Sequence, residues 1–453
     1  MSISNQPENV RRATKRAANR VCSRRELLVR SGVAGLVAAT GMAARKARAT
    51  EAPTSTKPAP AGKAESCVFI WLGGGACHID TWDPKRKGDG KKKAGSYYDS
   101  IPTAVPDVSV CEHLYRTAPL MERCVIIRTV HHELQDHQAA TNRLHTGRPT
   151  SGTILYPSIG SVVSHERGPR SENVPAYIVM GYPNATRNPG FLGAKYGYVY
   201  LTETEAGPQG LRRPREITAS RQLRREALLR RIRDGYVNSH KGDAKIQDYA
   251  AISAQGFRLA GPGFMSVFNL DREKSELRES YGGEFGQRCL LARRLVQAGT
   301  RFIEVSFNLN FINGTGWDTH NEGQLNQHLL IQQLDQGLAA LLLDLERCKL
   351  LDSTLVVVAT EFGRPPEFDG GGGRGHHPHA FSIFLAGGGL RTGQVIGRTD
   401  DLGHKIVEFP VSVADLHATI YTALGVDPSK ELYDGNRPVP ITDRGRRIKQ
   451  LFV

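Results

Sequence analysis

Five short apolar runs are spread along the chain, and polar residues able to do chemistry stand just beyond four of them. The runs are Cys67–Leu72, Cys124–Val130, Arg301–Phe307, Thr354–Thr360 and Phe381–Leu385, rich in Val, Ile and Phe. A near-continuous run of this length predicts a strand buried on both faces, and such strands belong to a largely parallel sheet covered by helices. Leu325, Leu329, Leu334, Leu338, Leu341 and Leu345 recur at helical spacing before the fourth run. That spacing predicts a helix packed on the sheet. The chain therefore reads as an α/β protein.

The residues beyond each strand bear on function. His78, Asp80 and Asp83 come after the first, and His131, His132, Glu133, Asp136 and His137 after the second. Beyond the third stands Trp317-Asp318-Thr319-His320, and directly after the fourth Glu361-Phe362-Gly363-Arg364. A glycine-rich loop then leads to Arg374, His376, His377 and His379. In an open α/β sheet ligands bind beyond the carboxyl ends of the strands. Imidazoles and carboxylates gathered there form a ligand set for Zn, Mn or Fe. Each motif also has an ordinary reading: Asp83-Pro84 suits a turn, Glu361 suits a partner for Arg364, and the glycines suit a surface loop.

Several chemistries are excluded by spacing. His132 and His137 are five residues apart and cannot share a helix face as a zinc-protease pair must. The chain has no phosphate-binding GxxxxGKS/T and no GxSxG elbow. Six cysteines beyond residue 49 form no CxxC, so a zinc–thiolate site is not expected.

The net charge of +15 suggests a nucleic-acid binder until the charges are located. Residues 1–49 carry eleven basic and two acidic side chains, so +9 sits there and +6 on the rest. The remainder reads as an ordinary solvated surface, and no nucleic-acid partner is expected. Within the basic segment, Ser23-Arg24-Arg25-Glu26-Leu27-Leu28 is a twin-arginine pattern. A Gly/Ala-rich stretch to Ala44 and the small residues of Ala47-Arg48-Ala49 come after it. These predict a signal peptide over 1–49 read by twin-arginine export machinery, a flexible spacer over 50–65, and a periplasmic or cell-envelope location. No apolar run is long enough for an integral membrane span.

Five motifs in order resemble one family. They are Cys77-His78-Ile79-Asp80-Thr81-Trp82-Asp83-Pro84-Lys85, Leu144-His145-Thr146-Gly147-Arg148-Pro149, Gly316-Trp317-Asp318-Thr319-His320, Glu361-Phe362-Gly363-Arg364 and Gly373-Arg374-Gly375-His376-His377-Pro378. The family is domain of unknown function 1501, of the alkaline-phosphatase-like, sulfatase-like superfamily. The resemblance runs from about Cys67 to the C-terminus and implies a three-layer α/β/α sandwich, over 66–453, with a helical insertion at about 202–284. It implies a site for a divalent metal, with Zn, Mn, Fe, Ca and Mg not distinguished. Asp318 and His320 resemble one metal's Asp-His pair, and His376 or His377 its third ligand. Glu361 resembles a ligand of a second metal, and Asp80, with His78 beside it, takes the place of the aspartate after the first strand. Implied substrates are anionic esters, such as sulfated or phosphorylated glycans.

The superfamily's nucleophile lies nine residues before the Thr of its Thr-Gly pair. Counting back from Thr146 reaches His137, which has no hydroxyl or thiol. Two readings of the chemistry remain. In one, metal-activated water attacks, His137 or His132 is base or ligand, and Arg364 or Arg374 grips the ester. In the other, Cys77 or Thr141 is a covalent nucleophile. A third reading is a degenerate envelope protein that binds metal or polyanion without turnover. In the insertion, Arg221–Arg231 reads as a solvated basic helix.

Overall fold

The computed structural model describes residues 62–452, apart from 182–186, 206, 209, 212–215, 308–315 and 321–322. The expected signal peptide and nearly all of the expected spacer lie outside the described residues. Ala64, at the spacer's end, is already buried, with its N–H donating to the Ala423 carbonyl at 3.0 Å.

Among the described residues, nine strands form one sheet: β1 Ser66–Trp71, β2 Cys124–His131, β3 Tyr177–Met180, β4 Val199–Leu201, β5 Phe302–Ser306, β6 Thr354–Ala359, β7 Phe381–Gly387, β8 Gln394–Ile396 and β9 Val411–Ser412. The order is β8-β2-β7-β6-β1-β5-β3-β4, with β9 also on β2. β7 runs antiparallel to β2 and β6, and the other pairings are parallel. The fold is therefore a largely parallel α/β/α sandwich. Its five central runs coincide with the apolar runs of the sequence, whereas β3, β4, β8 and β9 carry no such long signal.

Alternate residues of each strand enter opposite cores. Val68 and Ile70 pack on one face, and Cys67, Phe69 and Trp71 on the other. Full burial on both faces explains why these segments contain no polar alternation. Among the described residues seven longer helices accompany the sheet: α1 His137–Thr146, α2 Ile159–Arg167, α3 Ala219–Ser239, α4 Ala244–Leu259, α5 Glu284–Ala298, α6 Gly323–Arg347 and α7 Val413–Ala423. Leu334, Leu338, Leu341 and Leu345 of α6 are buried as their spacing predicts, while Leu329 is exposed. The Leu325 side chain lies outside the described ones. All six described cysteines are free thiols.

Parallel alignment brings three strand ends together. Trp71, at the end of β1, pairs with Ser306 of β5 and Ala359 of β6. The segments beyond these ends therefore leave the sheet along one edge. α1 begins near that edge, capped by the Asp136 carboxylate, which accepts the Ala139 N–H at 2.9 Å. His137 is thus the first residue of the helix.

The same packing buries two neutral histidines. His78 donates Nε2–H to the Gly403 carbonyl at 2.7 Å, and His417 of α7 donates to the Leu144 carbonyl at 2.8 Å. Burial pushes both imidazoles down to about 4. In the unfolded chain they titrate near 6.5, so between these values the unfolded state binds more protons and stability rises with pH. The stabilisation is complete above about pH 6.5 and is lost towards pH 4. At pH 5.5 each histidine should cost on the order of 1 kcal/mol. Urea unfolding at pH 7.5 and 5.5 should show this fall, and His417→Gln should reduce it. A pH dependence unchanged by His417→Gln would refute the account.

Candidate metal centre

Asp318 is the hub. Its Oδ1 lies 2.5 Å from Arg364 Nη2, 3.2 Å from His320 Nε2 and 3.6 Å from His376 Nε2. Its Oδ2 lies 3.3 Å from His137 Nε2. His320 and His376 face each other, Nε2 to Nε2, at 3.0 Å. Among the described residues, His137, Asp318 and His376 form a trio whose donor atoms all lie within 4.8 Å of one another. His320 stands against the same trio.

The local backbone makes this convergence possible. Gly74 has φ +121°, and a Cβ there would come within 2.3 Å of the Asp318 nitrogen. The glycine turn after β1 thus lets the Asp318 backbone approach the sheet edge. The Gly74 N–H donates to Glu361 Oε1 at 2.7 Å, which ties that turn to the end of β6.

The imidazoles are held from behind. His137 Nδ1 lies 3.0 Å from Glu361 Oε1, and His376 Nδ1 lies 2.7 Å from the Gln135 carbonyl. His320 Nδ1 is 3.7 Å from Asp369 Oδ2. Protons on these Nδ1 atoms leave each Nε2 lone pair facing the cluster, as in carboxylate–histidine–metal arrangements. Phe362 stacks on His376 with centroids 4.5 Å apart.

Three features fit this donor set to a divalent cation. His137 Nε2 is buried and has no hydrogen-bond partner, despite its closeness to Asp318. The imidazole and carboxylate donors suit Zn²⁺, Mn²⁺ or Fe. The donor atoms of His137, Asp318 and His376 all lie within 4.8 Å of one another, and the imidazole contacts to Asp318 run from 3.2 to 3.6 Å. The same groups are coupled through their charges. Burial opposes a charged His137, but Asp318 and Glu361 outweigh it and raise the imidazole to about 9. Burial opposes a charged Asp318 too, and His137, His376 and Arg364 outweigh it and hold the carboxyl well below its usual range. The pocket is built for opposed charges.

Several expected site residues have other tasks. Glu361 sits behind His137 and orients it, instead of joining the trio. His132 spends both nitrogens: Nε2 donates to the Glu361 carbonyl at 2.6 Å, and Nδ1 accepts the Leu134 N–H at 3.0 Å. It is no free base. Asp80 is fully buried in an ion pair with Arg374 at 3.1 Å. His78 and His377 stack on one another, and His377 donates to the His404 carbonyl at 3.0 Å. The structure does not bring Asp80, His78 or His377 into the trio.

Neither expected anion clamp has donors to spare. Arg364 is wholly buried and gives its N–H groups to Asp318 and to the Gly74, Gly75 and Arg374 carbonyls. Arg374, also wholly buried, serves Asp80 and the Gly95, Pro365 and Pro366 carbonyls. Burial pushes the Cys77 thiol far above its ordinary value, with Asp80 adding to the effect, so it is unsuited to thiolate attack. Thr141 lies one turn beyond His137 on α1 and is buried. Asp369 and the Gln135 carbonyl escape a reading of the sequence. Asp369 stands in the glycine-rich stretch that reads as an ordinary surface loop, and a backbone carbonyl leaves no trace in residue type.

A profile of the family described as Protein of unknown function (DUF1501) matches residues 64–452. The chain belongs to this family. Three solved structures resemble this DUF1501 chain in fold. A protein in the alkaline phosphatase superfamily from Vibrio parahaemolyticus has 10% identity, covering 87% of the DUF1501 chain and 72% of its own, with a TM-score of 0.38. Alkaline phosphatase from the Antarctic bacterium TAB5 has 11% identity, 81% and 99% coverage, and a TM-score of 0.37. The PsFucS1 sulfatase from Pseudoalteromonas sp. has 12% identity, 80% and 68% coverage, and a TM-score of 0.34. No curated protein sequence matches the DUF1501 chain. Among its described residues no helix is long and apolar enough to cross a membrane.

Proposed function

We propose that this protein is an exported, metal-dependent hydrolase of phosphate or sulfate esters that uses water as the nucleophile. The observation that carries the reading is the convergence of His137, Asp318 and His376, with each imidazole held through its second nitrogen. A divalent cation bound there would supply Lewis-acid charge for an anionic ester and lower the pKa of water to about 7.

The chain's own residues divide the remaining work. Asp318 supplies the negative charge of the site, and Arg364 fixes its carboxylate from the buried side. Glu361 and Gln135 set the ring orientations of His137 and His376. His320, with Asp369 behind its Nδ1, turns Nε2 towards Asp318 and His376 and would add a further donor to the cation. His137 occupies the place of the superfamily's nucleophile, which favours water over a covalent route. The twin-arginine pattern supports export of the folded, metal-loaded chain.

One observation favours a second reading, binding without turnover: both buried arginines are committed internally and offer an ester nothing. Metal analysis of the purified protein, followed by hydrolysis of p-nitrophenyl phosphate and p-nitrophenyl sulfate, separates the two. Stoichiometric metal with turnover of either ester is expected. Bound metal without turnover of either ester favours binding, and a protein that takes up no divalent metal and turns over neither ester overturns the hydrolase reading in favour of polyanion binding.

A further inference from the structure

The helices α3 and α4 are joined by a short turn at residues 240–243 and diverge around an open groove of about 1410 Å³. No side chain of α3 is buried over its 21 residues. Leu223, Leu229, Ile232, Tyr236 and, from α4, Tyr249 line the groove and are each 53–67% exposed. A cluster of large apolar side chains this open is unusual on an isolated soluble surface and marks a contact site.

The charges select the occupant. Only two charged side chains of α3 line the groove, Glu226 and Arg233. Arg233 holds its neighbour Asp234 through Nε and Nη2, but its Nη1 is shielded from solvent and has no hydrogen-bond partner. Glu226 and Arg233 are symmetrically placed about the middle of the apolar stripe, as are Leu223 and Tyr236. If a second α3 is laid antiparallel on the first, position 226 meets 233 and position 223 meets 236, in both directions. An isologous two-fold contact requires this self-complementarity: if residue i meets j, then j meets i. The remaining arginines, Arg221, Arg224, Arg225, Arg230 and Arg231, do not line the groove. The five apolar groups present on the order of 600 Å² per copy, and two copies reach about 1,200 Å², the lower end of stable specific interfaces.

We propose that the protein forms a two-fold dimer in which α3 of each protomer lies antiparallel in the α3–α4 groove of its partner, with reciprocal Glu226–Arg233 ion pairs. This goes beyond the hydrolase reading and does not depend on it. Light scattering of the purified chain across micromolar concentrations tests it. A dimer is expected for the wild type. Glu226→Arg alone and Arg233→Glu alone should each weaken dimerisation at least about tenfold, because each replaces two attractive pairs by two repulsive ones. The double variant Glu226→Arg/Arg233→Glu should restore the dimer. Neither residue is part of a buried core, Glu226 accepting only from Gln222 of its own helix, and circular dichroism confirms folding of each variant. A wild type that stays monomeric at about 100 µM, a concentration well above micromolar affinity, overturns the proposal. Co-sedimentation of that monomer with anionic phospholipid vesicles would assign the groove to a lipid surface instead. Dimers indifferent to both single reversals also overturn it.

Discussion

Asp318→Asn should strip the protein of its divalent metal, weakening affinity on the order of 1,000-fold and abolishing any ester hydrolysis. Asp318 provides the only carboxylate of the trio and contacts His137, His320 and His376. Asparagine is the informative replacement because its side-chain oxygen can still accept from Arg364. Alanine would leave that buried guanidinium uncompensated and confuse metal loss with unfolding. His376→Ala should match the metal loss. Glu361→Gln should weaken binding only about 10- to 100-fold, the usual cost of losing a group that orients a ligand. Titration with Zn²⁺ and Mn²⁺, followed by elemental analysis, reads all three. Wild-type metal content in Asp318→Asn would remove the centre, and equal losses in Glu361→Gln and Asp318→Asn would make Glu361 a direct ligand.

The sheet was legible because a strand covered on both faces must be apolar throughout, and little else produces runs such as Thr354-Leu355-Val356-Val357-Val358-Ala359. β4 and β8 were not, because each is three residues long and only partly buried. The site was legible as a set of strand ends, but not side chain by side chain. His376 and His377 show why. They are identical neighbours, yet an extended chain sends successive side chains to opposite sides. His376 reaches Asp318, while His377, whose backbone pairs with Gly363, stacks on His78. Arg364 and Arg374 mislead for a related reason. In a sequence an arginine beside a metal motif looks like an anion clamp, and only burial reveals that carbonyls have already taken its donors.

The ion pair of Asp80 and Arg374 carries the other large effect. Both side chains are fully buried, Arg374 lies over the Phe368 ring, and its guanidinium ties the loop around Gly95 to the loop around Pro366. Asp80 also accepts the Tyr97 N–H at 2.6 Å. Taking away one partner strands a buried charge, so Asp80→Ala should lower unfolding free energy by about 3–5 kcal/mol. Removing both charges together, in Asp80→Leu/Arg374→Met, should recover much of that loss, since the desolvation penalty disappears with the pair. Metal affinity provides the second readout. Asp80→Asn keeps the shape and an acceptor, and it should retain metal within a few-fold of wild type, because the carboxylate faces Arg374 and not the trio. Loss of metal from Asp80→Asn at unchanged stability would return Asp80 to the ligand set. A double variant no more stable than Asp80→Ala would show that the loops depend on the guanidinium's carbonyl contacts more than on its charge partner.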